Sequence, residues 1–344
     1  MSLLWIDGFE WLGATVGSTI DVSYLNVKYP TVYNNPYVRD GRTGGYAIGG
    51  QNGYAMYLTT PAFSAADTTY VVGCGLRTST STSSLINILT FYRGATVGIR
   101  LEYQPSSGEI TVYNNAASLG TTTGAGIVST GWYYVEVKVV DAETGSVTLR
   151  VDGETVLSLT GVDTRAGGTV GYDRCRFDLS TSQVPYLRLD DLYILNGAGS
   201  TCNDFLGDCQ IRAIWPTSDG DLSQWSTSSG SDHYALVDDN PCNSDTDYVS
   251  AASTLSNLYG YGTASDLGRV KGIQINSCAK ELAEASVPAM KNLIKYGETV
   301  YDSSVPVITT GYTVLYSIHQ VNPATSGSWS VSEINTAQYG LKRE

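Results

Sequence analysis

The chain has 344 residues, with 33 acidic against 20 basic side chains and a net charge of −13, so it lacks the basic footprint a nucleic-acid partner needs. Apolar residues are 42% of the chain and charged ones only 15%, alongside 37 glycines and 25 tyrosines. That composition excludes a disordered chain and a helical bundle, and predicts strands joined by many turns. At roughly 150 residues per domain, the length predicts about two domains.

No basic stretch precedes Leu3, Leu4 and Trp5, and no apolar run is long enough to span a membrane. Neither a signal peptide nor membrane insertion is therefore expected, and synthesis in a cytoplasm is. Residues 5–10 read as a first short strand. Residues 29–37 (YPTVYNNPY) read as a loop, because Pro30, Asn34, Asn35 and Pro36 all interrupt regular structure. Tyr29, Tyr33 and Tyr37 with Asn34 and Asn35 allow two readings: a sugar-stacking surface, or a loop whose tyrosines pin it to the edge of a sheet. Strands follow at 42–48, 54–58, the glycine-spaced 70–76, 85–92, 97–103 and 110–113, at the spacing of a sandwich or barrel. Residues 78–84, all Ser and Thr, read as an exposed connection.

Residues 131–161 hold the clearest signal. Tyr133, Val135, Val137 and Val139 alternate with Tyr134, Glu136 and Lys138, the two-residue period of a strand with one buried face. Glu136 and Lys138 thus read as exposed. Val147, Leu149 and Val151 form a second strand, and Asp152-Gly153 is the pair favoured in two-residue hairpins before a third. In residues 186–195 the apolar phase changes at Asp190-Asp191, which predicts a bulge. The small residues 196–200 predict a domain boundary at 199.

The runs GWYYVEVKVV, GSVTLRVDGETVLSLTG and LRLDDLYILNG resemble the concanavalin A-like or laminin-G-like jelly roll. The resemblance implies a two-sheet sandwich over residues 1–199, with the first and last strands side by side. Downstream, Asn203-Asp204-Phe205-Leu206-Gly207-Asp208, Trp215-Pro216, Trp225, Asp245-Thr246-Asp247-Tyr248-Val249, Asn322-Pro323-Ala324-Thr325, Trp329, Glu333 and Tyr339-Gly340-Leu341 occur in order. As a set they resemble virion surface proteins of tailed bacteriophages, usually tail-associated. That resemblance implies a structural virion protein with other virion proteins as partners, several copies or a homo-oligomer, and contact with a host surface polysaccharide. A free carbohydrate-binding module is the alternative, and a glycan hydrolase a third reading. Residues 200–344 read as a second β-rich domain, with strands at 269–276, 312–319 and 339–342. Helix formers lie at 279–285 before Pro288, and a short helix is expected at 330–337 from a capping box of Ser330 with Glu333. The fold expected is therefore all-β: an N-terminal two-sheet jelly-roll sandwich, then a β-rich domain with a short helix near its end.

Catalytic patterns are sparse. A retaining glycanase needs two carboxylates about 5 Å apart across the scissile bond, and no Glu-x-Asp-x-Glu strand occurs. Asp190 and Asp191 are adjacent, so they point to opposite faces. The two histidines, His233 and His319, lie near no nucleophile elbow. The expectation is a protein that is not an enzyme and needs no cofactor or metal. The acids between Asp204 and Asp247 read as turn caps and solvated loop residues, although a calcium site needs such oxygens. The cysteines read as free thiols, with Cys202 and Cys209 the pair expected if any disulfide forms. Trp215, Trp225 and Trp329 read either as docking anchors of the second domain or as its core.

Overall fold

The computed structural model describes every residue except 1, 14, 52, 79–83, 125–126, 128–130, 181–185, 241, 243–244, 266–267 and 283–287. The serine and threonine connection falls largely among these, as do residues 283–285 of the helix-former stretch expected at 279–285; its described residues form no helix, Ala279 closing the strand Ile273–Ala279. The chain divides into two compact units, Met1–Ile211 and Arg212–Glu344. The boundary expected at 199 is thus too early, because residues 200–211 pack with the first unit.

The first unit is a sandwich of two antiparallel sheets. In the eight-stranded sheet the order is Glu154–Val162, Gly145–Val151, Trp132–Val140, Thr69–Thr78, Leu187–Asn196, Tyr46–Gly49 and Tyr37–Asp40. Leu3–Asp7 pairs with the second half of Leu187–Asn196, so the first and last strands of the sandwich do lie together. The seven-stranded sheet runs Ala117–Thr121, Glu109–Asn114, Thr96–Gln104, Ile86–Arg93, Arg174–Ser180, Met56–Thr59 and Thr31–Tyr33. Inward side chains such as Val72, Val137, Leu149, Ile194, Phe91, Leu101 and Phe177 fill the space between the sheets. The loop expected at 29–37 instead contains the short edge strand Thr31–Tyr33 and runs into a second, Tyr37–Asp40. The phase change at Asp190-Asp191 is a bulge, with Asp191 at φ 48°.

At the hairpin, Asp152 (φ 49°) and Gly153 (φ 84°) both take left-handed backbone. The Asp152 carboxylate also accepts the Tyr134 amide at 2.7 Å. Gly153→Val is expected to cost about 1–3 kcal/mol, because a β-branched residue is strained there whatever room it has. Chemical denaturation of the full chain checks this, and an unchanged midpoint for the first transition would count against the turn.

The second unit has a five-stranded sheet ordered Pro216–Ser223, Leu255–Tyr261, Gln338–Arg343, Met290–Tyr296 and Thr299–Ser304. The hairpin Ile273–Ala279 with Thr313–His319 pairs separately. Residues from these strands share one core with the helix Val331–Thr336: Ile275, Ile294, Ile334 and Tyr339. The helix starts as expected, with the Ser330–Glu333 capping box formed in both directions. A disulfide joins Cys242 to Cys278 across 36 residues, which corrects both the free-thiol expectation for these two and the pairing expected of Cys202 with Cys209. Reduction is expected to destabilise this unit by about 3–4 kcal/mol, from the closure entropy of such a loop. Melting with and without reductant, against a Cys242→Ala, Cys278→Ala chain insensitive to it, measures the effect.

Candidate functional site

The outer face of the eight-stranded sheet is covered by the chain itself. Gly73 and Gly75 leave room on the central strand: a Cβ at Gly73 would lie 2.2 Å from the Tyr193 ring, and one at Gly75 2.9 Å from Arg42 Cδ. Tyr193 donates to Glu136 and accepts the Leu206 amide at 3.2 Å. The Gly207 amide donates to Glu136 at 2.9 Å. Arg42 donates to Asp191 at 2.9 Å and to the Cys209 carbonyl at 2.6 Å, and the Ile211 amide donates to Asp191 at 2.7 Å. Phe205 lies under the Arg150 guanidinium, and Asp204 pairs with Lys138. Glu136, expected on an exposed face, is therefore only 1% exposed.

Beside this cover sit three crowded carboxyls. Burial first, then the neighbouring Asp191 charge, pushes Asp190 up to about 7. Burial also raises Glu10 to about 9, with a smaller push from Asp190. The folded chain thus holds protons that the unfolded chain releases in the ordinary carboxylate range. Their stabilisation is complete at acid pH and is lost as pH rises through about 7 and then about 9. The first unit is expected to melt progressively lower over that range, and Glu10→Gln to flatten its upper part. A melting temperature that climbs with pH there would contradict the assignment.

The outer face of the seven-stranded sheet carries a different surface. One cross-strand row reads Thr31, Thr59, Arg176, Thr90, Arg100, Tyr113 and Ser118. Tyr33, Tyr57 and Asp178 stand in the next row. These residues alternate with buried Leu58, Phe177, Phe91, Leu101 and Val112, so they project away from the core. Tyr33, 49% exposed, stacks on Tyr57 at 5.2 Å and 9°. The Arg176 guanidinium lies 3.7 Å from the centre of the Tyr57 ring and pairs with Asp178. Arg100 sits 4.7 Å over Tyr113 and pairs with Glu102 at 3.1 Å. Arg174 faces Tyr92 and pairs with Asp173. Burial raises the Asp178 carboxyl above the usual range, against the lowering pull of Arg176.

Of the five residues expected to present a sugar surface, Tyr33 alone joins this face with a stacked ring. Asn34 takes positive φ and donates to the Ala55 carbonyl at 2.7 Å, which shapes the turn, and Asn35 is exposed beside it. Tyr37 belongs to the other sheet, 4.9 Å from Arg39. Tyr29 is corrected outright: it is fully buried, and its hydroxyl donates to Asp7. Tyr57, Arg176 and Asp178 were missed. Their alternation with Leu58 and Phe177 was the available signal, but nothing local shows that the two strands are neighbours.

In the second unit Trp329 is core, 3% exposed, and donates to the His319 carbonyl at 3.0 Å. Trp225 packs partly buried near Leu315 and Leu341, and its amide donates to Asn257 at 3.0 Å. Trp215 is half-buried, and its carbonyl accepts from Gly262. Of the downstream residues that carry the phage resemblance, several have structural duties. Asn322 donates to Glu333 at 2.9 Å, and the Tyr339 hydroxyl donates to the Ile334 carbonyl at 3.2 Å. His233 meets Asn257 at 2.8 Å, and burial lowers His319 to about 4. The acids between 204 and 247 serve ion pairs and turns: Asp221 with Lys295, Asp245 with Lys280, and Asp219 on the His233 and Tyr234 amides. Among the described residues no cluster of metal-binding side chains occurs, and no helix is long and apolar enough to cross a membrane.

No protein-family model matches the chain, and no curated protein matches it. Several solved structures are similar to it. Alginate lyase Aly36B shares 14% identity over 54% of this chain and 93% of its own, with a TM-score of 0.39. An endo-β-1,4-glucuronan lyase from the fungus Trichoderma reesei shares 13% over 48% of this chain and 90% of its own, at 0.37. A carbohydrate esterase from the Shiga toxin-encoding bacteriophage phi24B shares 15% over 48% and 88%, at 0.34. These neighbours are carbohydrate-active proteins, and they overturn the expectation that the chain is not an enzyme. A glycosidase carboxylate pair and a Ser-His-Asp triad are not the only catalytic arrangements, since elimination by proton abstraction needs neither. Likenesses this distant assign no activity in its place.

Proposed function

We propose that the sandwich engages a polysaccharide across the outer face of its seven-stranded sheet, and that the chain is a surface component of a tailed-phage particle, usually tail-associated. The observation that carries the first part is the stacked Tyr33–Tyr57 pair continued by Arg176 and Asp178, next to the Arg176–Thr90–Arg100–Tyr113 row. Flat aromatic and guanidinium faces with hydrogen-bonding groups around them suit the alternating apolar and hydroxyl faces of a sugar. The carbohydrate-active neighbours support this reading. The virion part rests on the ordered motifs from Asn203 to Leu341, and it brings other virion proteins and multiple copies as partners. Affinity electrophoresis of the full chain through polysaccharide gels tests the first part, with product release from the same polysaccharides followed in parallel. Unretarded migration in every gel would refute it. Mass spectrometry of purified particles from the phage that encodes the chain tests the second, and absence from those particles would refute it.

A further inference from the structure

We infer that the saccharide taken by this face is neutral and hydroxyl-rich rather than a polyuronate. The inference rests on the polysaccharide-binding reading above and concerns the same surface. Three arginines stand on the face, and each is already matched by a carboxylate of its own or a neighbouring strand position: Arg176 by Asp178, Arg100 by Glu102 and Arg174 by Asp173. The site therefore offers no surplus positive charge, in a chain that carries −13 overall. A polyanion would gain little from guanidiniums so neutralised, and would meet Asp178, Glu102 and Asp173 at close range and the negative chain at long range.

The hydrogen-bonding groups left over point the same way. Asp178 Oδ2, Asn87 Oδ1 and Arg100 Nε are buried, with no partner among the described residues. Asp178 is only 7% exposed. Asn87 faces Glu102 across the strand pair, one strand from Arg174–Ser180. Two of the three atoms are acceptors and one is a donor. A sugar hydroxyl donates and accepts through one oxygen, so a neutral glycan can serve all three. A uronate residue keeps hydroxyls of its own, but its carboxylate only accepts, and wherever it lay against Asp178 Oδ2 or Asn87 Oδ1 it would set negative oxygen against a buried acceptor. The three atoms are covered in the free chain, so the saccharide reaches them as the side chains above them swing aside.

The test is titration of the full chain with two sets of polysaccharides: neutral (dextran, a β-1,3-glucan, a galactomannan) and acidic (alginate, polygalacturonate). Binding to a neutral member is expected, with affinity insensitive to added salt. Tyr33→Ala, an exposed change that leaves the core alone, is expected to weaken it roughly tenfold. Asp178→Ala, checked for an unchanged melting curve, is expected to weaken it further, because the acceptor is gone. Preference for alginate or polygalacturonate that fades with salt would overturn the inference while the polysaccharide-binding reading stands. Binding to neither set would overturn both. Neutral binding untouched by Tyr33→Ala and by Asp178→Ala would place the glycan elsewhere and also overturn the inference.

Discussion

A fragment ending at residue 199 is expected to be far less stable than one ending at 211, by on the order of 5 kcal/mol, or roughly ten degrees or more in Tm. Residues 200–211 form no strand, yet they finish the outer face of the eight-stranded sheet. Removing them takes the Gly207 amide from Glu136, the Ile211 amide from Asp191 and the Cys209 carbonyl from Arg42. Each bond has a charged partner, the kind worth about 1.5–3 kcal/mol. It also strips Phe205 from Arg150 and exposes the faces of Tyr134 and Tyr193, both 1% exposed in the intact chain. Water repays part of the hydrogen bonding and none of the apolar burial, so the net cost stays large. Within the full chain, Arg42→Ala is expected to loosen the same segment and make it a preferred site of limited proteolysis. Equal melting temperatures for the two fragments would show that the cover is ornamental.

Strand positions were legible because their cause is local. A two-residue period marks a half-buried strand wherever it occurs, and the Asp152-Gly153 turn, the Asp190-Asp191 bulge and the Ser330–Glu333 box each depend on neighbours within a few positions. What failed to show was set by distant parts of the chain. Glu136 looked solvent-facing because its strand alternates, but what covers it arrives some seventy positions later as Leu206 and Gly207. Tyr29 looked like a loop residue because Pro30 follows it. In fact it ends the turn after the helix Val22–Asn26, and its hydroxyl reaches back to Asp7. Cys242 and Cys278 have no motif spacing to join them, and the five-stranded sheet of the second unit puts strands far apart in sequence side by side. The candidate sugar face shares this limit. Tyr57, Arg176 and Arg100 are each unremarkable in their own strands and become a surface only when the seven strands pair.

Lys28→Met is expected to destabilise the first unit by about 3–5 kcal/mol, the cost of leaving a buried charge without its counter-ion. Lys28 Nζ lies 2.8 Å from Asp7, and the two residues are 7% and 2% exposed. Asp7 also accepts from the Phe9 amide and from Trp11 Nε1, each at 2.9 Å, and from the Tyr29 hydroxyl. Lys28 lies 4.9 Å from the centre of the Trp11 ring and 5.4 Å from that of Trp5, so its ammonium is held between aromatic faces as well as against the carboxylate. Burial draws the lysine below its ordinary range, and Asp7 draws it back up. Methionine fills nearly the same volume, so the loss reports charge rather than packing. Adding Asp7→Asn keeps an amide oxygen to accept from Phe9 and Trp11, puts an NH2 that can donate to the Tyr29 hydroxyl in place of the oxygen that accepted from it, and removes the stranded charge, so the double variant is expected to recover a good part of the loss. Urea midpoints for the wild type, both single variants and the double variant measure the coupling directly. A single Lys28→Met change costing less than about 1 kcal/mol would mean that Asp7 is adequately held by its three hydrogen bonds alone. The buried pair would then be a consequence of how residues 5–29 pack, and not a reason they hold together.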